Sequence, residues 1–140
     1  RFFDGGDLTW NTEAALVTPV NRVGTVDVYQ VNHHGLDVSS NPVLVRSLQP
    51  TVSVMNNGPR KGGSADVIAA LRALPSLKAL YQGHRNITLT PEQNAPEQFI
   101  ANLEGPNDAA NMITVAVDAG KKSFAVTNGR TKETNSFAIK

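Results

Sequence analysis

Residues 26–42 have the sequence VDVYQVNHHGLDVSSNP, an apolar run followed by two histidines, a glycine and a serine-rich segment that ends in proline. The opening VDVYQV is rich in β-branched and aromatic side chains, which favour a β-strand. Ser40 and Pro42 are typical of the start of a helix, because serine can cap the first turn and proline fits its first position. The stretch therefore predicts a strand, a polar turn and a helix in succession.

Strand and helix signals alternate on both sides of this stretch. Strands are predicted at residues 1–3, 26–31, 51–55 and 78–82, and helices between them at residues 11–18, 42–49 and 64–74. The last helix is the clearest, because Val67, Ile68 and Leu71 recur at helical spacing behind the capping residue Ser64. Strands joined through helices run parallel, so this part of the chain predicts an α/β fold with crossover helices.

The C-terminal part has a different character. Residues 89–111 are rich in proline, asparagine, glutamine and glutamate, and they predict a long loop with one or two helical turns. Residues 112–129 alternate apolar and polar side chains around DAGKK, which indicates a β-hairpin, and residues 136–140 are expected to pair beside it. The expected fold class is α/β, with a mixed sheet, crossover helices and a C-terminal β-hairpin.

Length and composition narrow the classes of protein. Residues 1–140 are expected to belong to a single domain, since 40% of them are hydrophobic, which is enough to build a core. The strand-like opening RFFDGGD predicts that they are the C-terminal part of a longer domain. Without cysteine, a metal ion must be bound by His, Asp, Glu or backbone oxygen. The net charge of +1 argues against a general nucleic-acid or membrane surface, and no apolar run is long enough to span a membrane.

Polar residues follow four of the predicted strands. They are Asp7, the pair His33 and His34, the pair Asn56 and Asn57, and His84. Ligands gather at the carboxyl ends of strands in α/β sheets, because side chains there face a crevice and not a packed core. Imidazole and carboxylate groups suit zinc, iron or manganese, so the pattern predicts a divalent metal site.

The loop after the third strand is a candidate for substrate binding. Asn57, Arg60 and Lys61 lie in it and could hold an anionic group. The loop is rich in glycine and leads into a helix N-terminus, and backbone N–H groups in both settings attract phosphate.

Each of these features also has a structural explanation. The GGD segment can be a turn with an exposed carboxylate, and the histidine pair can be satisfied by hydrogen bonds at the end of a strand. His84 can end its strand without a chemical role. The alternative for the glycine-rich loop is a polar turn with ordinary helix capping.

Three segments, taken in order, resemble the second half of a metallo-β-lactamase-fold hydrolase. They are FFDGGDLTWNTEAAL (residues 2–16), VDVYQVNHHGLDVSS (residues 26–40) and QPTVSVMNNGPRKGG (residues 49–63). The likeness is to the soluble hydrolase domain of bacterial DNA-uptake (competence) proteins, and it implies half of a four-layer αβ/βα sandwich. Such a half would expose one apolar face of its sheet, which predicts association with the missing half-domain or a second copy.

The resemblance also implies roles for individual residues. Asp7 would bridge two metal ions and His34 would bind the second, with zinc expected and manganese or iron as alternatives. His33, also placed in the metal site, would hold that ring or a metal-bound water in position. The implied reaction is hydrolysis of a phosphodiester or another anionic ester by a metal-bound hydroxide, with Asp7 and His34 as the catalytic residues.

The expected partners follow from the same likeness. They are a small-molecule or phosphodiester substrate, with nucleic acid left open, and no membrane. The resemblance favours a soluble bacterial protein, either cytoplasmic or exported.

One part of the family pattern is missing. The family's first ligands come from a His-x-His-x-Asp-His motif upstream of the Gly-Asp strand, whereas the histidines of this chain are His33, His34 and His84. A two-metal site needs about three or four protein ligands per ion. Two classes of function therefore stay open: a metal-dependent hydrolase completed by its N-terminal half, or a non-catalytic remnant of the fold that binds a ligand or a partner.

Overall fold

A five-stranded parallel sheet forms the centre of the structure, a computed structural model that describes residues 1–103 and 109–140. Its strands lie side by side in chain order: β1 (Phe2–Asp4), β2 (Val28–Gln30), β3 (Val52–Met55), β4 (Ala79–His84) and β5 (Ile100–Asn102). The first four strands are connected in turn by α1 (Trp10–Val17), α2 (Pro42–Leu48) and α3 (Ala65–Arg72). Because these neighbours are parallel, the predicted α/β class with crossover helices is confirmed.

A separate antiparallel sheet follows, made of β6 (Ile113–Asp118), β7 (Ser123–Asn128) and β8 (Thr134–Ala138), with β7 in the centre. The predicted hairpin and the strand beside it are thereby confirmed. The prediction of a mixed sheet is wrong, because these strands form a sheet of their own that packs on the face of the parallel sheet.

The helices cover one face of the parallel sheet. Tyr29, Met55 and Leu80 of the strands share a buried apolar cluster with Leu44 of α2 and Ile68 of α3. Successive side chains of a strand point to opposite faces, so Tyr29 faces the helices while its neighbour on β2 faces away from them.

The antiparallel sheet covers the opposite face. Val28, Val52 and Tyr81 of the parallel sheet pack there against Phe124 and Val126 of β7. The molecule is thus layered as helices, parallel sheet and antiparallel sheet. The expectation of an exposed apolar sheet face is wrong for this surface, and the predicted association no longer follows from it.

Polar side chains fasten the two sheets together. The Asn135 amide donates to the Tyr81 hydroxyl at 3.2 Å, and the Asn128 amide and Arg130 Nε donate to the carbonyl of Ile100 at 3.1 and 3.0 Å. Each bond satisfies a polar group that packing has removed from water. The two sheets are therefore held together by directional hydrogen bonds as well as by apolar contacts.

The predicted loop at residues 89–111 contains more order than expected. Short 3₁₀ turns at Pro91–Gln93 and Glu97–Phe99 match the predicted helical turns, and β5 follows them directly. Residues 104–108 of this loop lie outside the described part of the chain. β5 was not predicted because its short apolar patch lies in a stretch rich in proline, asparagine, glutamine and glutamate, a composition that disfavours strands.

The helical spacing predicted for α3 is confirmed, since Val67, Ile68 and Leu71 are buried on one side of it. Helices α1 and α3 have eight residues each, and α2 has seven. No helix in the described part of the chain is long and apolar enough to cross a membrane.

Ser53 of β3 provides a test of the core. Its buried hydroxyl has no hydrogen-bond partner among the described residues. A buried polar group without a partner destabilises the fold, so Ser53→Ala is expected to raise the free energy of unfolding by about 1 kcal/mol in urea denaturation. Ser39→Ala is the control, because the Ser39 hydroxyl donates to the Leu8 carbonyl at 2.6 Å and its loss is expected to destabilise. Equal destabilisation by both changes would contradict the prediction.

Candidate functional site

The loops that follow β1 and β2 meet at the carboxyl edge of the parallel sheet. The backbone N–H of His33 donates to the carbonyl of Gly6 at 2.9 Å, and that of Gly5 donates to the Asn32 side-chain oxygen at 3.1 Å. The loop that carries Asp7 therefore lies against the histidine turn, as the strand-end argument predicted. Asp7 itself is exposed.

The two histidines occupy an unusual backbone conformation. His33 has φ 52° and ψ 39°, and His34 has φ 60° and ψ 13°, so both lie in the left-handed region. Gly35 follows with φ 76°. For residues with a Cβ this region costs about 1–2 kcal/mol each, so neighbouring contacts must stabilise the turn.

The loop before α3 supplies those contacts. The N–H of Gly63 donates to the His34 carbonyl, and both the N–H and the hydroxyl of Ser64 donate to the Gly35 carbonyl, all at 2.9 Å. Gly62 has φ +78°, and a Cβ at that position would lie 2.1 Å from the His34 carbonyl oxygen. Ser64 is at the N-cap position as predicted, but its hydroxyl binds the histidine turn and not the helix.

Glu13 is the buried group that sequence reasoning missed. Its carboxylate accepts from the Asn32 amide at 2.6 Å, the Ser40 N–H at 2.9 Å and the Asn41 N–H at 2.6 Å. One side chain of α1 thus holds the residue before the histidines and the start of α2. The signal was available, since Leu16 and Val17 follow Glu13 at helical spacing and place it on the buried face of α1.

Hydrogen bonds set the orientation of both imidazoles. His34 Nδ1 lies 2.8 Å from the Asn56 carbonyl oxygen, which can only accept, so Nδ1 carries the hydrogen. His33 Nδ1 lies 3.3 Å from the Ser39 hydroxyl, whose own hydrogen is donated to the Leu8 carbonyl. In the neutral rings, Nε2 of each histidine therefore keeps the lone pair that a metal ion binds.

The described residues supply few further metal ligands beside these two imidazoles. Within residues 1–103 and 109–140, no group of three or more His, Asp or Glu side chains could hold a metal ion. The tautomers of both imidazoles suit metal binding through Nε2, but the described residues do not complete a metal site.

An open pocket of about 370 Å³ brings several predicted residues together. His34, Asn57 and Lys61 line it, and His84 of β4 forms a further wall. Arg60 is exposed and is not among the pocket's described lining residues, although it is the neighbour of Lys61. The backbone turns between Arg60 and Lys61 and directs their side chains apart. No spacing rule in the sequence reveals the direction of such a turn.

Asn57 has a structural task in this pocket. It is 2% exposed, its amide donates to the carbonyls of His84 and Gly58 at 2.8 and 3.1 Å, and its oxygen accepts from the His84 N–H at 3.4 Å. These bonds use the amide to join the loop after β3 to the end of β4. Asn57 was predicted to bind substrate. Its side chain would affect binding indirectly, by fixing the positions of His84 and Gly58.

Comparison with known proteins found no family model, no curated protein and no solved structure that matches the chain. The geometry of these loops is therefore the basis on which a function is proposed.

Glu13→Gln tests the carboxylate that joins the three segments. The substitution removes the charge and turns an N–H donor toward backbone N–H groups, so the free energy of unfolding is expected to fall by about 2–3 kcal/mol in urea denaturation. Glu133→Gln is the control, because Glu133 is exposed and its change is expected to stay within about 0.5 kcal/mol. Equal effects of the two variants would show that the carboxylate is dispensable.

Tyr29 gives the site a predicted alkaline limit. Its buried hydroxyl accepts from the Asn32 N–H at 3.1 Å and lies 3.2 Å from the Ser40 hydroxyl, and burial raises the pKa of Tyr29 to about 12. Below the ordinary tyrosine pKa of about 10, both the folded and unfolded chains keep the phenolic proton, so stability is unaffected. Between about pH 10 and pH 12 the unfolded chain ionises first, which costs the folded state about 2–3 kcal/mol.

The measurement is urea denaturation from about pH 9 to about pH 12 on the parent and on Tyr29→Phe. The variant is expected to lose less stability across this range. Burial also raises the pKa of Tyr81, so some pH dependence should persist in the variant. Identical slopes for the two proteins would show that Tyr29 does not set the limit.

Proposed function

We propose that this chain supplies part of the divalent metal site of a hydrolase that acts on a phosphodiester or another anionic ester. His34 is the ligand, Asp7 is the carboxylate from the neighbouring loop, and His33 supports the site beside them. The observation that carries the proposal is the pair of left-handed histidines whose Nδ1 atoms both have hydrogen-bond acceptors.

The strain at this turn is the main support. A strand that only needed a polar end could adopt an ordinary turn at lower cost, since each left-handed residue with a Cβ is unfavourable. Here the strain persists at two adjacent residues, and both rings are held through the same nitrogen. Fixing ring direction through Nδ1 is how proteins prepare Nε2 for a metal ion.

The bound ions, expected to be zinc with manganese or iron as alternatives, would supply Lewis acidity toward an ester oxygen. The chain's own residues orient the site: Asn56 and Ser39 hold the rings, and Gly62 allows the close approach of the loop before α3. The remaining ligands would come from outside the described residues. Because the antiparallel sheet covers the other face of the parallel sheet, they would have to reach the site at its carboxyl edge. The missing half-domain, or a second copy, is the partner which this proposal requires.

A second function class is supported by a different observation. Because the described residues contain no group of three metal-binding side chains, the chain could bind an anionic ligand or a partner without catalysis. In that case the histidine turn would shape the pocket, and Lys61 would provide its charge.

Metal content separates the two classes. The test is elemental mass spectrometry on this chain and on the same gene extended upstream, both purified without chelator. The hydrolase proposal predicts about two equivalents of metal in the extended protein, little in the shorter chain, and phosphodiesterase activity in the extended protein only.

Substitutions in the extended protein test the individual ligands. His34→Ala and Asp7→Ala are each expected to lower metal content and to reduce the hydrolysis rate at least about a hundredfold. Asp37→Ala is the matched control, because Asp37 is an exposed carboxylate close in sequence to the same turn. Unchanged metal content in the first two variants would overturn the assignment, and no metal in the extended parent would favour the binding module.

A further inference from the structure

The pocket beside His34 opens next to a second hollow with a different lining. We call the first the anion lobe, defined by His34, Lys61 and His84, with a volume of about 370 Å³. The second, the neutral lobe, has a volume of about 290 Å³ and is lined by Gln30 and Met112, among others. Both are near the lower end of the volumes found for small-molecule sites.

The two lobes share walls. Asn56 and His84 line both of them, so the two hollows are neighbours at the carboxyl edge of the parallel sheet, and we treat them together as one cleft. A ligand that occupies both hollows would contact these two residues.

The lobes differ in charge. Lys61 and two imidazoles line the anion lobe, and no carboxylate is present among its described lining residues. The described walls of the neutral lobe carry amides, such as Gln30 and Asn102, and apolar side chains, such as Val54 and Ile113. A lysine ammonium binds phosphoryl oxygens as a point charge, whereas amides and apolar groups suit an uncharged body.

We propose that the cleft binds a small phosphoric ester in one orientation, with its phosphoryl group in the anion lobe beside Lys61 and His84 and its uncharged body in the neutral lobe. This inference names the substrate class of the proposed hydrolase and rests on that function for its catalytic meaning. It adds His84 and Met112 as ligand-contacting residues and places Arg60 outside the site.

Backbone-directed hydrogen bonds preform the anion lobe. The bonds between the Asn57 amide and the backbone of His84 fix two walls against each other. The turn that positions Lys61 is closed by a bond of 2.9 Å from the Gly58 N–H to the Lys61 carbonyl. A lobe that is already shaped loses little conformational entropy when an anion binds.

Asn102 preforms the neutral lobe. Its amide donates to the carbonyls of Gly83 and Asn111 at 2.8 and 2.9 Å, and its oxygen accepts from the Asn111 N–H at 2.8 Å. These bonds hold the segment before β6 at the end of β4, which is where Met112 can cover the body of the ester. Met112 is 73% exposed, so it can be changed with little effect on the core.

The first experiment measures binding of methylphosphonate, a phosphoryl mimic with a minimal body, to the metal-free chain by calorimetry or by amide chemical shifts. Lys61→Gln is expected to weaken binding about tenfold, the size of one charge-assisted hydrogen bond. Arg60→Gln is the matched control, since it removes the same charge from the adjacent residue and is expected to change the affinity less than about twofold. Equal weakening by both variants, or no binding by the parent, would overturn the anion lobe.

The second experiment compares phenylphosphonate with methylphosphonate. The parent is expected to bind the phenyl compound more tightly, and Met112→Ala is expected to remove most of that advantage without changing methylphosphonate binding. Val117→Ala is the control, because Val117 lies on the adjoining strand β6, is 68% exposed and is not among the described residues that line the cleft. Equal affinity of the parent for both compounds, or the same loss in both variants, would overturn the neutral lobe.

Because these measurements use metal-free protein, they are independent of metal binding. Phosphonate binding by a protein that acquires no metal in its extended form would support the cleft and refute the hydrolase. Metal binding without phosphonate binding would support the hydrolase and refute the cleft.

Discussion

The arrangement of the loops depends on the hydrogen bonds that the buried carboxylate of Glu13 accepts. It is fully buried, and its donors come from Asn32, Ser40 and Asn41, which stand on either side of the histidine turn. A charge removed from water is tolerated only when it is well hydrogen-bonded, so the carboxylate and its donors must be placed together. The turn at His33 and His34 is therefore held at both of its ends by one side chain.

The resulting site combines strain with close backbone contact. The left-handed turn is stabilised from the side by hydrogen bonds from Gly63 and Ser64, and a side chain at Gly62 would collide with the His34 carbonyl. Two loops that are distant in sequence thus hold the histidine turn in one conformation. The glycine-rich segment before α3 therefore supports the conformation of the histidine turn, independently of any contact that it makes with a ligand.

The sequence predicted the elements better than their contacts. Alternation and helical spacing revealed four strands of the parallel sheet, the helices and the C-terminal hairpin, because those signals are local. β5 lies in a stretch whose composition disfavours strands, and the pairing of β6 to β8 in a separate sheet depends on packing between distant segments. In the site, strand-end reasoning grouped His34, Asn57 and His84, which line one pocket. The composition of the loop after β3 could not separate Lys61 from Arg60, and the helical spacing that indicates the burial of Glu13 was overlooked.

The stacking of the antiparallel sheet has a consequence for synthesis. Each strand of the parallel sheet joins the one made just before it, so that sheet can grow as the chain emerges from the ribosome. Its outer face, with Val28 and Tyr81, stays uncovered until residues 113–138 have followed. The nascent chain therefore presents an apolar surface between the completion of the parallel sheet and the synthesis of residues 113–138, when a chaperone would have most reason to bind it.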